Sequence, residues 1–186
     1  MLSKSRSLLT ATLATALSFF AAAPAQAQGL VSIGAGSYIS PSNPTQTSSF
    51  AHFIYEGWNG SVHGHAIWFF PDATIVVNVT SYAYHEFTPG TTSLVFAGAI
   101  SAIYGTPNGP LATIGRTAYV AVNDNGYGTA DETSGLSLLP PLSALPPVPP
   151  QFGNLTTVQQ LLGFFQFYGF PPPNFAALVS GSIRVR

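Results

Sequence analysis

The chain has 186 residues, of which only five are lysine or arginine and six are aspartate or glutamate, and it contains no cysteine. The lack of cysteine excludes a disulfide framework and a thiolate nucleophile. Beyond residue 27 three arginines stand against the six acids, which gives a net charge of −3. Cations this sparse disfavour nucleic-acid binding, which needs clustered positive charge.

Residues 1–27 have the three parts of a secretory signal. Lys4 and Arg6 give the positive start, an apolar run follows, and "AQA" at residues 25–27 is a small-x-small cleavage site. The run is short for a membrane anchor and lacks stop-transfer charges. We expect cleavage after Ala27, leaving residues 28–186 as one β-domain that is secreted or periplasmic in a bacterium.

Alternating apolar and polar residues predict most of the strands. "LVSIGAG" and "AHFIYEG" are short candidates separated by a Ser/Pro/Asn loop. The next four runs are β-branched or aromatic-rich and are joined by Gly/Pro/Asn turns: "SVHGHAIWFF", "ATIVVNVTSYAYHEF", "TSLVFAGAISAIYG" and "LATIGRTAYVAVND". They predict an antiparallel meander, and "AALVSGSIRVR" predicts a last strand.

A sheet of this size with apolar residues on both faces must close or stack on itself. In the strand that begins at Ala73, strict alternation gives one dry face and one face rich in Thr and Tyr. The dry face is Ile75, Val77, Val79 and Ala83; the other face is Thr74, Val76, Asn78, Thr80, Tyr82 and Tyr84. We expect a mainly β fold, a small antiparallel β-barrel, with a bent β-sandwich as the alternative.

The segment at about 137–174 is an insertion before the last strand. Its first part is Pro-rich and cannot continue a ladder, because proline lacks the backbone donor. "NLTTVQQLLGFFQFYG" then predicts one helix, capped by Asn154 or Thr156 and stopped at Gly169. We expect this helix to cap one end of the barrel. A lid over a ligand cavity and a membrane-touching helix are the alternatives, because the segment is rich in aromatic residues.

"YVAVNDNGYGTADETSGLSL" resembles a loop of uncharacterised secreted bacterial β-domain proteins, in which a strand runs into a D-N-G-x-G-x-x-D sequence. Asp124, Asn125, Gly126, Gly128 and Asp131 match that sequence, and the likeness covers about residues 60–136. The resemblance implies a compact secreted β-fold and no particular reaction. The insertion at 137–174 departs from it, so we expect the function particular to this chain there.

The same loop is a candidate metal site. Asp124, Asn125 and Asp131 carry hard oxygen donors of the kind that bind Ca²⁺, although their spacing is not that of an EF-hand. Asp and Asn also bond their own backbone in tight turns. A self-bonded turn is the favoured interpretation.

His63 and His65 are the second candidate site. Residues i and i+2 of a strand point to one face about 7 Å apart, so the pair is half of a zinc or copper site if a third ligand faces it. His85 is the candidate third ligand. Without metal, a histidine beside a carboxylate such as Glu86 or Asp72 could act as a general acid or base. The favoured interpretation is that the pair lies on a polar sheet face.

Three classes of function remain, since nucleophile-elbow, zinc-protease and nucleotide-loop motifs are absent from the sequence. The leading hypothesis is a binding module for a small apolar or aromatic molecule inside the barrel. The second is a cofactor-independent isomerase, cyclase or lyase that uses the histidines and carboxylates above, and the third is a structural or envelope-association module. No cofactor is required; calcium and zinc are the candidate ions.

The binding hypothesis names its own residues. Aromatic side chains of the barrel and the helix would line or cover the cavity: Trp68, Tyr82, Tyr84, Phe164, Phe165 and Tyr168. Arg116 is the one cation within the body of the domain. It would pair with a carboxylate or hold an anionic ligand group, and pairing is favoured.

Overall fold

The computed structural model describes residues 27–40, 43–88, 90–106, 112–140 and 144–186. Within these ranges the chain forms strands β1 to β9, a short 3₁₀ turn and helix α1. The strands are β1 (Ala27–Ser40), β2 (Asn43–Gly57), β3 (Val62–Phe69), β4 (Ala73–Thr88), β5 (Thr91–Gly105), β6 (Thr117–Asn123), β7 (Glu132–Thr133), β8 (Ser137–Leu138) and β9 (Ala176–Val185); the 3₁₀ turn is Pro150–Phe152 and α1 is Val158–Phe167.

All strand pairs are antiparallel, and the sheet closes into a ring. The order is β5-β4-β3-β2-β1-β9-β7-β6, and β5 also pairs with β6. β8 pairs with β6 beside β7. The predicted mainly β class, the meander and the helix near the C-terminus are therefore confirmed.

The first hairpin is longer than the sequence predicts. β1 and β2 have 14 and 15 residues, and their ladder runs from Ala27↔Gly57 to Ser40↔Asn43. Most of the residues predicted to form a Ser/Pro/Asn loop belong instead to β1 and β2, so that prediction is wrong for most of its length. Ser48 and Phe50 are both buried at alternate positions of β2, so this polar stretch keeps the period of a strand.

A β-bulge at Thr80 reverses the two faces of β4. Val79 pairs with Gly98 but Ser81 pairs with Ala97, so one residue of β4 has no partner between them. Tyr82 and Tyr84 therefore lie opposite the inward residues of β5 and share the face of Val79. The strict alternation predicted for this strand is wrong beyond the bulge.

The interior of the ring is a packed core. Its inward side chains form one buried cluster, which includes Phe50, Trp68 and Phe96. Glycine makes room for one of the larger groups: a Cβ on Gly34 would lie 2.6 Å from Cε1 of His52. Trp68 is fully buried among these side chains, and its predicted contact with a ligand stays a prediction.

Helix α1 packs against the outer face of the ring. Leu161 and Phe164 pack in a second buried cluster with Val95 and Ala97 of β5, which point away from the interior. The position of α1 is lateral: it covers the wall of the ring and not its mouth.

The start of α1 is fixed by hydrogen bonds from two different parts of the chain. The N-cap is Thr157, which forms a capping box with Gln160, and not the predicted Asn154 or Thr156. Val158 N also donates to Ser81 Oγ at 3.0 Å. A sheet side chain thus satisfies one of the free N–H groups at the helix start.

Candidate functional site

A groove of about 990 Å³ runs along the outer wall of the ring, beside the C-terminal part of α1. Much of its lining is apolar and comes from β4 to β6, from α1 and from the segment after it. These residues are Phe87, Val95, Tyr119, Ala121, Leu161, Leu162, Phe165, Phe170 and residues 171–173. Polar side chains line the groove as well, among them Gln46, Asp72, His85, Glu86 and Asn174. Small-molecule sites combine apolar walls with placed polar groups.

The groove is lined by residues that lie far apart along β4. Ile75 and Phe87 both line it and are 12 residues apart on β4, which at about 3.3 Å per residue is at most about 40 Å. It extends from one mouth of the ring, at Tyr38 and Phe70, to the outer wall below α1. Residues 134–138, where β7 and β8 are each two residues long, line it as well. A molecule that filled the groove from one end to the other would be elongated.

Three of the predicted acid–base residues line this groove, but at different places. His85 lies on the outer face of β4, with its ring 4.5 Å from that of Phe87. Glu86 is the next residue, so its side chain points to the opposite face, and it accepts a hydrogen bond from Gly90 N. Asp72 lies in the turn before β4, toward the other end of the groove. The groove thus does not bring His85 and a carboxylate together on one face.

His63 and His65 share a face, as the sequence predicts, and that face is the outer one. His63 is exposed, stacks on Tyr55 at 5.5 Å and bonds Ser61 Oγ at 2.7 Å. His65 is exposed and bonds Asn78 Oδ1 at 3.0 Å. Since His65 pairs with Asn78, His85 lies seven residues further along β4, about 23 Å away, and does not complete a metal site with the pair.

The histidine that the ring encloses is His52. It is fully buried, its ring lies 5.9 Å from Phe50 and 5.2 Å from Phe96, and its Nε2 is 2.8 Å from Ser32 Oγ. Its Nδ1 has no hydrogen-bond partner. Burial lowers the pKa of His52 to about 3, so this imidazole is neutral in the folded protein.

Two of the predicted ligand-binding tyrosines lie at an end of the ring. Tyr82 is half-buried and donates its hydroxyl hydrogen bond to Glu56 Oε2 at 2.6 Å. That hydrogen bond to the carboxylate, ahead of burial, raises the pKa of Tyr82 to about 12. Tyr84 is exposed and donates to the main-chain carbonyl of Arg186. Neither tyrosine lines the groove, so the structure separates them from the apolar site.

The D-N-G-x-G-x-x-D loop bonds to itself and to β9. Asp131 accepts from Asn125 N at 3.0 Å and from Ile183 N at 2.6 Å. Asp124 accepts from Gly126 N at 3.1 Å and from Val185 N at 3.0 Å. The carboxylate oxygens that would hold Ca²⁺ are thus engaged by N–H groups, as a self-bonded turn requires.

The remaining predicted residues fall on both sides of α1. Phe164 is fully buried below the helix, whereas Phe165 lines the groove and lies 5.3 Å from Tyr119. Tyr168 is exposed beyond the helix end and donates to Pro147 O. Arg116 Nε donates to Leu139 O at 2.6 Å, beside the groove wall and not within it.

Among the described residues, no three His, Asp or Glu side chains form a group that could hold a metal ion. None of the helices in these ranges has the length and hydropathy that crossing a bilayer requires. Comparison with protein-family models, with curated proteins and with solved structures finds no match to the chain. The resemblance drawn from the loop sequence therefore stays a prediction.

Sequence reasoning missed the floor of the groove. Val95 and Ala121 alternate with the core residues of β5 and β6, so they read as ordinary strand positions. The signal that was available is that both faces of these strands are apolar, which requires a cover on each side. The predicted helix supplies that cover.

Proposed function

We propose that this protein is a binding module that holds an elongated apolar molecule in the groove between the outer wall of the ring and the segment around α1. The observation that carries the proposal is the groove itself, with Phe165 and Phe170 beside a floor of Val95 and Ala121. Burial of apolar ligand surface there would supply affinity. The hydrogen-bonding groups at its margins, such as Gln166, would orient the ligand.

The proposed ligand site lies outside the ring, whereas the sequence predicts a site inside the barrel. The inward face is occupied by a buried cluster of side chains, so a ligand inside the ring would have to displace core residues such as Trp68 and Phe96. Opening a core in this way costs several kcal/mol for each large side chain. An outer groove requires no such rearrangement, which favours it.

The proposal includes export. Residues 1–27 have the pattern of a cleavable signal, and a chain without cysteine needs no oxidative maturation after export. We therefore propose that the ligand is met outside the cytoplasm.

The test blocks the groove without touching the core. Gln166 is exposed on α1 and lines the groove, so Gln166→Trp would narrow it; Gln159→Trp, exposed on the same helix but away from the groove, is the matched control. Binding of N-phenyl-1-naphthylamine, an uncharged apolar fluorophore, is measured in solution without lipid. We expect saturable binding to the wild type and the control, weakened about tenfold or more in Gln166→Trp, which is about 1.4 kcal/mol. Equal binding by the two variants, or no saturable binding to the wild type, would overturn the proposal.

A further inference from the structure

Three exposed aromatic side chains cluster where α1 ends. Phe167, Tyr168 and Phe170 are 59%, 36% and 42% exposed, and Pro171 and Pro172 beside them are exposed as well. We name these five residues the aromatic ridge.

The ridge is held in place by the groups below it. Gly169 reverses the chain with a φ of 65°, which brings Phe170 back over the helix end. The ring of Tyr168 lies 5.0 Å from that of the buried Phe164, and the ring of Phe167 lies 5.7 Å from that of Phe152. Packing thus holds the exposed rings in place, so their exposure to water does not result from a loosely packed chain end.

The chain around the ridge carries no charge. From Thr133 to Ile183, a stretch of 51 residues, the sequence contains no Asp, Glu, Lys, Arg or His. The exposed polar residues of α1 nearest the ridge are glutamines. Electrostatic attraction to an anionic surface or to a charged partner is therefore absent from this segment.

The size of the ridge disfavours a stable protein partner or a second copy of the chain. At roughly half exposure, with about 200 Å² for each aromatic side chain, the three rings present roughly 300 Å². A stable protein–protein interface needs about 800 Å² on each side. A lipid surface needs no complementary shape. Tyrosine favours the interface between headgroups and acyl chains, and phenylalanine is among the apolar residues that interfacial helices bury at that boundary.

We propose that the aromatic ridge docks on the surface of an uncharged, zwitterionic bilayer, with Phe167 and Phe170 in the headgroup–acyl boundary. Phe170 belongs both to the ridge and to the lining of the groove, so docking would set the groove against the lipid surface. The docking proposal does not depend on the groove being occupied. If both hold, the acyl chain of a membrane lipid is the elongated apolar molecule that the groove meets.

The test is flotation of the purified protein with vesicles of pure phosphatidylcholine, at low salt and at about 1 M NaCl, where the Debye length falls to about 3 Å. Phe167 and Tyr168 do not line the groove, so Phe167→Ser and Tyr168→Ser test the ridge alone. Tyr127→Ser, at a fully exposed tyrosine in the Asp124–Asp131 loop, is the matched control. All variants are prepared with the same N-terminus, so any contribution of residues 1–26 is common to them.

We expect the wild type and Tyr127→Ser to float with the vesicles equally at both salt concentrations, and each ridge variant to bind about fivefold or more weakly. Phe167→Trp should bind at least as well as the wild type, because tryptophan favours the interface. Absence of binding to phosphatidylcholine, binding that requires phosphatidylglycerol, or equal binding by all variants would overturn the proposal. So would a concentration-dependent dimer that Phe167→Ser abolishes, since the ridge would then be a contact between copies. Loss of fluorophore binding in solution tests the groove separately.

Discussion

The buried histidine makes the stability of the ring depend on pH in a predictable direction. Burial lowers the pKa of His52 to about 3, whereas the unfolded chain has the ordinary value of about 6.5. At a pH between these two values, the imidazole of His52 is therefore protonated in the unfolded state and neutral in the folded state. The contribution of neutral His52 is fully present above about pH 6.5 and is lost as the pH falls from there toward 3.

The magnitude follows from the width of that window. At about pH 5, roughly 1.5 units below the unfolded value, the loss is about 2 kcal/mol, which is a sizeable part of the 5–15 kcal/mol typical of a domain. The side chains that contact this ring are those of Ser32, Phe50 and Phe96, and none of the three carries a charge. Protonation is thus opposed by burial, with nothing in these contacts to offset it.

The assay is urea unfolding between about pH 7.5 and pH 5. His52→Gln removes the titrating group but keeps a partner for the Ser32 hydroxyl, and we expect it to lose about 2 kcal/mol less than the wild type over this range. His63→Gln, on the outer face, controls for the loss of an imidazole as such and should keep the wild-type acid loss. If His52→Gln and the wild type lose stability in parallel, the reasoning from burial is refuted.

Three further predictions concern stability, and each is tested by urea unfolding. Gly98→Ala should lower the free energy of unfolding by about 2–3 kcal/mol, because its Cβ would lie 1.8 Å from the carbonyl oxygen of Asn78. Gly29→Ala is the control and should be tolerated, because a Cβ there would have no atom within 4 Å. Equal effects of the two substitutions would contradict the close approach at Gly98. Asp131→Ala leaves two N–H groups without their carboxylate acceptor and should lower the free energy of unfolding by about 2–4 kcal/mol. Added Ca²⁺ should not shift the Tm of the wild type, and a rise in Tm would show a calcium site in the loop. Thr157→Ala removes the N-cap of α1 and should cost about 1 kcal/mol, with a negligible loss arguing against the capping box.

The sequence predicts the strands well because alternation of apolar residues is a local property. The predicted meander matches β3 to β6, and the predicted last strand matches β9. The face of the sheet to which a side chain points is harder to predict, since one bulge at Thr80 places Tyr82 and Tyr84 on the other side of β4. For His63 and His65, the period of two predicts a shared face. The buried Ala66 and Trp68, which follow them on the same strand and point inward, decide that this face is the outer one.

The closure of the ring could not be predicted for a different reason. β7 and β8 have two residues each, too few to show any period. The bonds from Asp131 and Asp124 to β9 join positions more than 50 residues apart, and a loop sequence does not name its distant partners. The groove runs past the same point of closure, so the sequence could not predict the position of the groove either.

The distribution of phenylalanine explains why we place recognition outside the ring. The chain has 14 phenylalanines, and six of them lie between residues 152 and 175. Phe164 is fully buried and Phe152, Phe165 and Phe175 pack against its cluster, which leaves Phe167 and Phe170 as the exposed members of the six. Apolar side chains that the core does not bury cost solubility unless another surface covers them. A segment that combines two exposed phenylalanines with an absence of charge is what the proposed ligand groove and the proposed lipid-docking ridge both require.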